Sequence, residues 1–218
     1  MRFFFFSLSH CLRFEFLIFF GVCIMSLKFD QFYDDYMAGL RNPYNCPQSF
    51  ENEYDTAMIT GHRWFDYRPP IDKLITVAVN QGITHFLCGM ALGTDQTFAQ
   101  CLIDRKLKWT AVIPCADQDK FWKPHQRSHY KKLLGQATEQ VILYPTYSSG
   151  CMHARNLWMV KRADLCLTVF SDDPAGIGGG TATTVKMARD RNLLIYQYIP
   201  AESKFTIIEP AYQQMTLF

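Results

Sequence analysis

Three turns of this chain combine glycine with charged or hydroxyl residues, and each turn directly follows a predicted strand. Glycine lets backbone N–H groups approach an anion closely, and a helix N-terminus adds partial positive charge. A single such turn is more often only flexible, but three at one end of a sheet favour binding of a phosphate. The predicted ligand-binding residues of these turns are Gly61, His62 and Arg63; Gly89, Gly93, Thr94 and Asp95; and Gly178, Gly179, Gly180 and Thr181.

Three of these residues allow a second interpretation. Arg63 either pairs with a phosphate through two hydrogen bonds or is an ordinary surface arginine. Asp95 opens a helix, so its carboxylate either contacts a ribose hydroxyl or only stabilises the helix dipole. We expect His62 to be a structural or capping residue at the ligand rather than a catalytic base.

An aromatic and amide-rich segment follows the third predicted strand. Gln118, Trp122, Gln126 and Tyr130 recur at intervals of four, which is helical spacing. Pro124 is expected to begin the helix, and this leaves the first two in the preceding loop. We predict that Trp122 and Gln126 contact a base or ribose of the ligand, with packing in the core as the alternative for the aromatic ring.

A fifth segment, GCMHARNLWMVKRAD, is predicted to be helical, with Met152, Arg155 and Met159 on one face. An arginine between methionines, near a glycine-rich turn, favours contact with the ligand. Arg155 is therefore a predicted ligand-binding residue. Its alternative role is an internal salt bridge to an aspartate. Asn156 is predicted to belong to the site by orienting a neighbouring loop.

The elements that must position these residues follow from the hydrophobic pattern. From Asp55 onward, short apolar runs alternate with amphipathic stretches, which is typical of βαβ units. The prediction is an α/β, Rossmann-like, doubly wound and mainly parallel sheet with helices on both faces. Ligands of such sheets bind beyond the carboxyl ends of the strands. Predicted strands are 56–60, 84–88, 110–114, 140–143, 165–170 and 193–197, and predicted helices are 70–81, 94–105, 124–137, 152–163 and 181–191.

The amino-acid composition limits the kinds of molecule that the chain is expected to bind. The chain has 218 residues and a formal net charge of only +2, so a nucleic acid is not an expected partner. The 8 cysteines are scattered without a CxxC pair. No metal site is therefore predicted, and a reducing cytoplasmic location is favoured.

The predicted organisation is one domain with appendages. Residues 1–25 form a hydrophobic extension or follow a mis-called start, residues 26–54 an irregular lead-in, residues 55–200 the nucleotide-binding domain and residues 201–218 a tail. The uncharged apolar run 16–25 is about half of the ~20 residues that span a bilayer. No stable membrane association is expected.

The motifs TGHR, CGMALGTD, PCADQDKFW, RNLWMVKRAD and GGGT follow one another in this order. Together they resemble the SLOG superfamily of Rossmann-like nucleotide-binding proteins, and most of all its YpsA-like branch, over residues 57–198. CGMALGTD is similar to the SGxAxGxD loop of DprA, which binds single-stranded DNA and loads a recombinase. MHAR and GGGT are similar to motifs of the LOG phosphoribohydrolases, which cleave the N-glycosidic bond of nucleoside monophosphates.

The resemblance to the hydrolases is incomplete at one position. Arg155 matches their catalytic arginine, whereas Thr184 stands where they have a catalytic glutamate. Cleavage of a glycosidic bond passes through an oxocarbenium-like state that a carboxylate stabilises, and threonine does not supply this. Asp95, Asp172 and Asp173 are the carboxylates that could take its place.

The favoured hypothesis is a protein that binds and senses a nucleotide or a nucleotide derivative, of the NAD or ADP-ribose kind. A bound nucleotide is the expected ligand, no other cofactor is predicted, and a homo-oligomer is a possible assembly. The alternative is a LOG-like N-glycosidase acting on nucleoside monophosphates or NAD-like molecules. A weaker alternative is DprA-like binding of single-stranded DNA, which a nearly neutral chain disfavours.

Overall fold

A computed structural model describes residues 55–171 and 179–210 of the chain. The predicted N-terminal extension, the lead-in and Gly178 lie outside these residues. The strands are β1 (Thr56–Gly61), β2 (His85–Cys88), β3 (Lys108–Cys115), β4 (Glu139–Tyr144), β5 (Leu165–Val169), β6 (Leu194–Ile199) and β7 (Lys204–Ile208). The helices are α1 (Arg68–Asn80), α2 (Thr94–Asp104), α3 (Pro124–Leu134), α4 (Cys151–Val160) and α5 (Gly180–Asp190).

The strands form one sheet in the order β4-β3-β2-β1-β5-β6-β7. The first six are parallel, and β7 pairs antiparallel with β6. The chain winds outward from β1 to β4 and then returns to place β5 beside β1. This reversal of strand order confirms the predicted doubly wound Rossmann-like fold, and it opens a crevice at the carboxyl ends of β1 and β5.

Successive residues of the central strands face opposite sides of the sheet and pack into two hydrophobic clusters. Ala57 and Ile59 of β1 belong to the larger cluster, together with apolar residues of α1, α2 and α3. Met58, between them, belongs to the smaller cluster with residues of α4 and α5. The alternation follows from the period of two in a strand, and it explains why these strands are apolar along their whole length.

The six predicted strands and five predicted helices are all present, with ends displaced by a few residues. The seventh strand was not predicted. Residues 204–208 were assigned to a tail, yet they extend the sheet beyond β6, where Tyr198 faces Phe205. Phe205 is buried against Tyr198 with the two ring centroids 4.8 Å apart. The sheet therefore continues past residue 200.

The longest of the described helices, α1, has 13 residues, fewer than the ~20 that cross a bilayer. None of the helices within residues 55–171 and 179–210 is long and apolar enough to span a membrane. The five cysteines of this part of the chain are buried free thiols. They behave as small core residues, as their positions in apolar runs indicate.

Candidate functional site

The three glycine-bearing turns meet at the reversal of strand order. The hydroxyl of Thr181, at the start of α5, donates a hydrogen bond of 2.9 Å to the carbonyl of Gly61 at the end of β1. The hydroxyl of Thr94, at the start of α2, donates at 2.9 Å to the carbonyl of His62. The turn after β1 is thus tied to the first turns of both helices, and the three predicted segments form one structure.

A cavity of about 280 Å³ lies where these turns converge. Nine of the predicted ligand-binding residues line it: Gly61, His62, Arg63, Asp95, Arg155, Asn156, Gly179, Gly180 and Thr181. The remaining lining residues, which the sequence analysis did not assign to the site, are Ile59, Thr60, Ala91, Met152 and Met159. The volume is close to the lower end of the range for small-molecule sites.

A buried ion pair forms one wall of the cavity. Nη1 of Arg155 lies 3.9 Å from Oδ2 of Asp95, and both residues are 6% exposed. The same nitrogen donates a hydrogen bond to the carbonyl of Gly89, and Asp95 accepts one of 3.0 Å from the N–H of Ala91. Arg155 therefore makes the internal salt bridge of its alternative role and also lines the cavity, and its contact with a ligand stays a prediction.

Burial dominates the protonation of this pair. It raises the pKa of Asp95 above the ordinary value, and the nearby charges of Arg155 and Arg63 oppose that shift. Burial likewise lowers the pKa of Arg155, against the attraction of Asp95. Loss of either Asp95 or Arg155 would consequently leave the other as a buried charge without compensation.

A chain of hydrogen bonds orients the arginine. Nε of Arg155 donates at 2.7 Å to Oδ1 of Asn156, and Nδ2 of Asn156 donates at 2.7 Å to the hydroxyl of Thr184. The Thr184 hydroxyl donates in turn to the carbonyl of Gly180. Thr184 is fully buried and does not line the cavity, so the residue at the position of the hydrolase glutamate has a structural role.

Two glycines are required by close approach rather than by a ligand. A Cβ atom at Gly89 would overlap the guanidinium of Arg155. Gly93 has a φ of +77°, and a Cβ there would overlap the carbonyl of Arg63. Neither residue lines the cavity, and buried Thr94 does not line it either. Gly89, Gly93 and Thr94 therefore support the turns around the cavity without lining it.

Arg63 gives the cavity its free positive charge. Its side chain is exposed and lines the cavity, and it has no hydrogen-bond or ion-pair partner among the residues that the structure describes. With Arg155 also positive and Asp95 negative, the three charged side chains lining the cavity sum to one positive charge. The arrangement favours an anionic ligand.

The N-terminus of α5 adds backbone donors on the same cavity. Gly179 is the N-cap residue, no side chain of the described residues caps the helix, and its first turn contains no acidic residue. The first N–H groups of a helix have no partner within the helix, and they carry partial positive charge. Gly179, Gly180 and Thr181 line the cavity, so the N-terminus of α5, the end of a helix that attracts anions, borders it.

His62 is held in a fixed orientation at the edge of the cavity. Its Nε2 lies 3.0 Å from the N–H of Ser171 and accepts a hydrogen bond from it. The ring stacks on Trp64 with centroids 5.0 Å apart and packs against Phe170 on a tilt. Burial lowers the pKa of His62, and an acceptor at Nε2 requires the neutral ring. The contacts agree with a structural role.

A second, smaller cavity of about 60 Å³ contains the predicted aromatic residue Trp122 in its wall. Trp122 packs edge-on against Tyr130 with centroids 5.2 Å apart. Gln126 lines neither cavity, and its Oε1 accepts a hydrogen bond of 3.0 Å from the N–H of Lys123. The structure therefore gives Gln126 a helix-capping role, and its contact with a ligand stays a prediction.

The described part of the chain contains no group of three or more His, Cys, Asp or Glu side chains that could hold a metal ion. Among the side chains that line the cavity, two arginines and two threonine hydroxyls can donate hydrogen bonds, whereas Asp95 is the one carboxylate.

The comparison with protein families agrees with this geometry. The sequence model YpsA, described as the YspA SLOG family, matches residues 68–203. The chain belongs to this SLOG family. The match begins in α1 and ends just before β7, so it includes the turn before α2, all of α4 and the start of α5.

The chain is also similar to individual proteins at greater distance. An uncharacterized SPbeta prophage-derived protein, YoqJ of Bacillus subtilis, is 28% identical over 127 residues, covering 48% of this chain and 74% of YoqJ. The structure of DprA from Streptococcus pneumoniae superposes with a TM-score of 0.50 at 14% identity, covering 67% of this chain and 50% of DprA. DprA from Helicobacter pylori gives a TM-score of 0.47 at 15% identity, over 66% and 64% of the chains. The chain thus spans half the length of the Streptococcus protein, with which it shares a fold.

Proposed function

We propose that this SLOG protein binds and senses a phosphorylated nucleotide or nucleotide derivative in the 280 Å³ cavity. One observation carries the proposal: Arg63 and the N-terminus of α5, neither of which has a side-chain partner among the described residues, line the same cavity at the reversal of strand order. A phosphate there would accept charge-assisted hydrogen bonds from Arg63 and from backbone N–H groups of α5.

The remaining wall suits the sugar of a nucleotide. Asp95 uses Oδ2 to accept the N–H of Ala91, and an ionised carboxylate has about four acceptor sites, which leaves capacity for a ribose hydroxyl. Met152 and Met159 supply an adaptable apolar surface in the same cavity. The ligand class that combines an anion, hydroxyl donors and an apolar ring is a nucleotide, with NAD-like and ADP-ribose-like molecules included.

Binding without hydrolysis is the form of the proposal that the buried contacts favour. Thr184 supplies no carboxylate, and its hydroxyl is committed to Gly180 and Asn156. Among the described lining residues, Asp95 is the one carboxylate that an N-glycosidase mechanism could use. Hydrolysis is therefore the second candidate, and it makes Asp95 essential.

Isothermal titration and thermal unfolding test the proposal on the full chain. The probes are pyrophosphate, AMP, ADP, ADP-ribose and NAD. A nucleotide at 100 times its Kd stabilises the fold by ~2.7 kcal/mol, which appears as a raised Tm. In Arg63→Gln we expect affinity for the binding probes to fall at least about tenfold, because a charged hydrogen bond is lost.

Arg189→Gln is the matched control. Arg189 is exposed in the last turn of α5, away from the cavity, and the substitution changes net charge by the same amount. If all five probes leave the Tm unchanged, or if both variants weaken binding equally, the proposal is wrong. Chromatography of each mixture detects free base. Its release by the wild type and not by Asp95→Asn would replace sensing by hydrolysis.

A further inference from the structure

The smaller cavity adjoins the nucleotide cavity and continues it. Arg63, Ala91, Met152 and Arg155 line both spaces. The residues particular to the smaller one are Leu92, Gln118 and Trp122. A ligand held in the larger cavity can therefore extend a group past the two arginines into the smaller one.

Gln118 is the unusual residue of this wall. It is only 9% exposed, and its Nε2 donates a hydrogen bond of 2.9 Å to the carbonyl of Met90. A carbonyl accepts only from the NH₂ side of the amide, so this bond fixes which way the amide points. Oε1 has no hydrogen-bond partner among the described residues. A buried acceptor without a donor is costly, and it is satisfied when a ligand brings one.

The other lining side chains make this acceptor selective. The guanidinium groups and the indole N–H are donors, the leucine and alanine side chains form no hydrogen bonds, and the thioether of Met152 is only a weak acceptor. Among the residues that line the smaller cavity, Gln118 therefore carries the one strong side-chain acceptor. A ligand carbonyl could accept a hydrogen bond from any of several lining donors. A ligand N–H or O–H, in contrast, could donate to only one strong side-chain acceptor, Gln118.

We propose that the smaller cavity is a subsite that selects ligands carrying an N–H or O–H donor, with Gln118 as the specificity-determining residue. This inference rests on the proposed function, since the anionic end of the same ligand occupies the larger cavity. The volume of about 60 Å³ limits what enters. A cavity of about 150 Å³ is needed to hold a benzene ring, so the smaller space takes an edge of the ligand, such as an amino group or a hydroxyl.

Titration of the full chain with four probes separates the possible donors. Pyrophosphate reports on the larger cavity alone. AMP and purine riboside 5′-monophosphate differ by the exocyclic amino group, and AMP and 2′-deoxy-AMP differ by one ribose hydroxyl. We expect AMP to bind about threefold to tenfold more tightly than one of these two analogues, which is the range for one hydrogen bond.

Gln118→Met tests the residue itself, with Gln136→Met on the exposed C-terminal side of α3 as the control. We expect Gln118→Met to abolish the preference for AMP and to leave the affinity for pyrophosphate unchanged, and the control to alter neither. The comparison of analogues on the wild type decides the matter if Gln118→Met does not fold. AMP and pyrophosphate that bind without any preference among analogues overturn the subsite and leave the proposed function standing. Failure of both to bind overturns the two together.

Discussion

Two helices, α2 and α5, begin after a glycine at the same edge of the sheet, and their N-termini are built differently. At α2, Asp95 lies in the first turn, and the N–H of Thr94 donates at 3.3 Å to the carbonyl of His62. At α5 the first turn has no acidic residue, and a Cβ added at Gly179 or Gly180 would meet nothing within 4 Å. The N-terminus of α2 is occupied by the protein itself, whereas no residue within 55–171 and 179–210 occupies that of α5.

The comparison shows that the same sequence signal serves two physical purposes. Before α2, glycine allows the turn after β1 to pack directly on the helix, and an internal carboxylate opposes the dipole. Before α5, glycine leaves backbone N–H groups accessible to an external anion. Substitutions on the α2 side should therefore reduce stability, and substitutions on the α5 side should act on binding.

Arg155→Leu is expected to have the largest effect, because it removes the cation beside the buried carboxyl of Asp95. We expect a loss of about 4 kcal/mol in the free energy of unfolding at pH 7, the range for a broken buried pair. The pKa of Asp95 is already raised by burial and would rise further without Arg155. Urea unfolding at several pH values measures the loss.

The sign of the pH dependence follows from that shift. A carboxyl whose native pKa is raised contributes stability below its ordinary pKa, and this stability is lost as pH rises through the native value. The deficit of Arg155→Leu should accordingly shrink as the pH is lowered from 7 towards 4. A deficit that does not change with pH would show that Asp95 is not the group left uncompensated. Arg189→Leu, at an exposed position, is the control.

Gly93→Ala should have the next largest effect. A φ of +77° is strained for alanine, and its Cβ would overlap the backbone carbonyl of Arg63, which cannot move without displacing the turn after β1. We expect a loss of about 3 kcal/mol. The matched substitution Gly179→Ala, with φ of −82° and open space around it, should cost less than about 1 kcal/mol.

Measurements of pyrophosphate binding should distinguish Gly179→Ala from Gly93→Ala further. Gly179→Ala places a methyl group at the open N-terminus, so it should weaken pyrophosphate binding even though the fold is intact. If Gly179→Ala destabilises the protein as much as Gly93→Ala does, the two N-termini do not differ as described.

The fold was largely predictable because it depends on periodic burial. Apolar runs of strand length, separated by amphipathic stretches, predict parallel strands covered on both faces. Strand β7 was not predicted because only Phe205 of its five residues is buried. An edge strand with one buried face carries a weaker pattern, and its pairing with β6 follows from chain proximity rather than from composition.

The residue types of the candidate site could be predicted from the sequence, but the role of each residue could not. Arg155 was assigned two alternatives because spacing along a helix does not reveal the distance to Asp95, which lies on another element. Gln126 could have been assigned correctly, since Pro124 at the first helical position places this glutamine third, where it can cap the helix. The role of Gln118 depends on its bond to Met90, a contact between distant turns that no local pattern indicates.

The smallest expected effect is the pH response of His62, whose own carbonyl accepts the hydrogen bonds that close α2. Its pKa is lowered by burial, so the neutral ring contributes stability above the ordinary value of about 6.5 and this is lost as pH falls through the native pKa. His62→Gln should therefore flatten the decline in unfolding free energy between pH 7 and pH 5, while His125→Gln on exposed α3 should not. Protonation also removes the acceptor that holds the N–H of Ser171, so the protection of the Ser171 amide against exchange, relative to an unstructured peptide at the same pH, should fall over the same interval. An unchanged decline in His62→Gln, with Ser171 still protected at pH 5, would mean that the closed N-terminus of α2 does not depend on this ring.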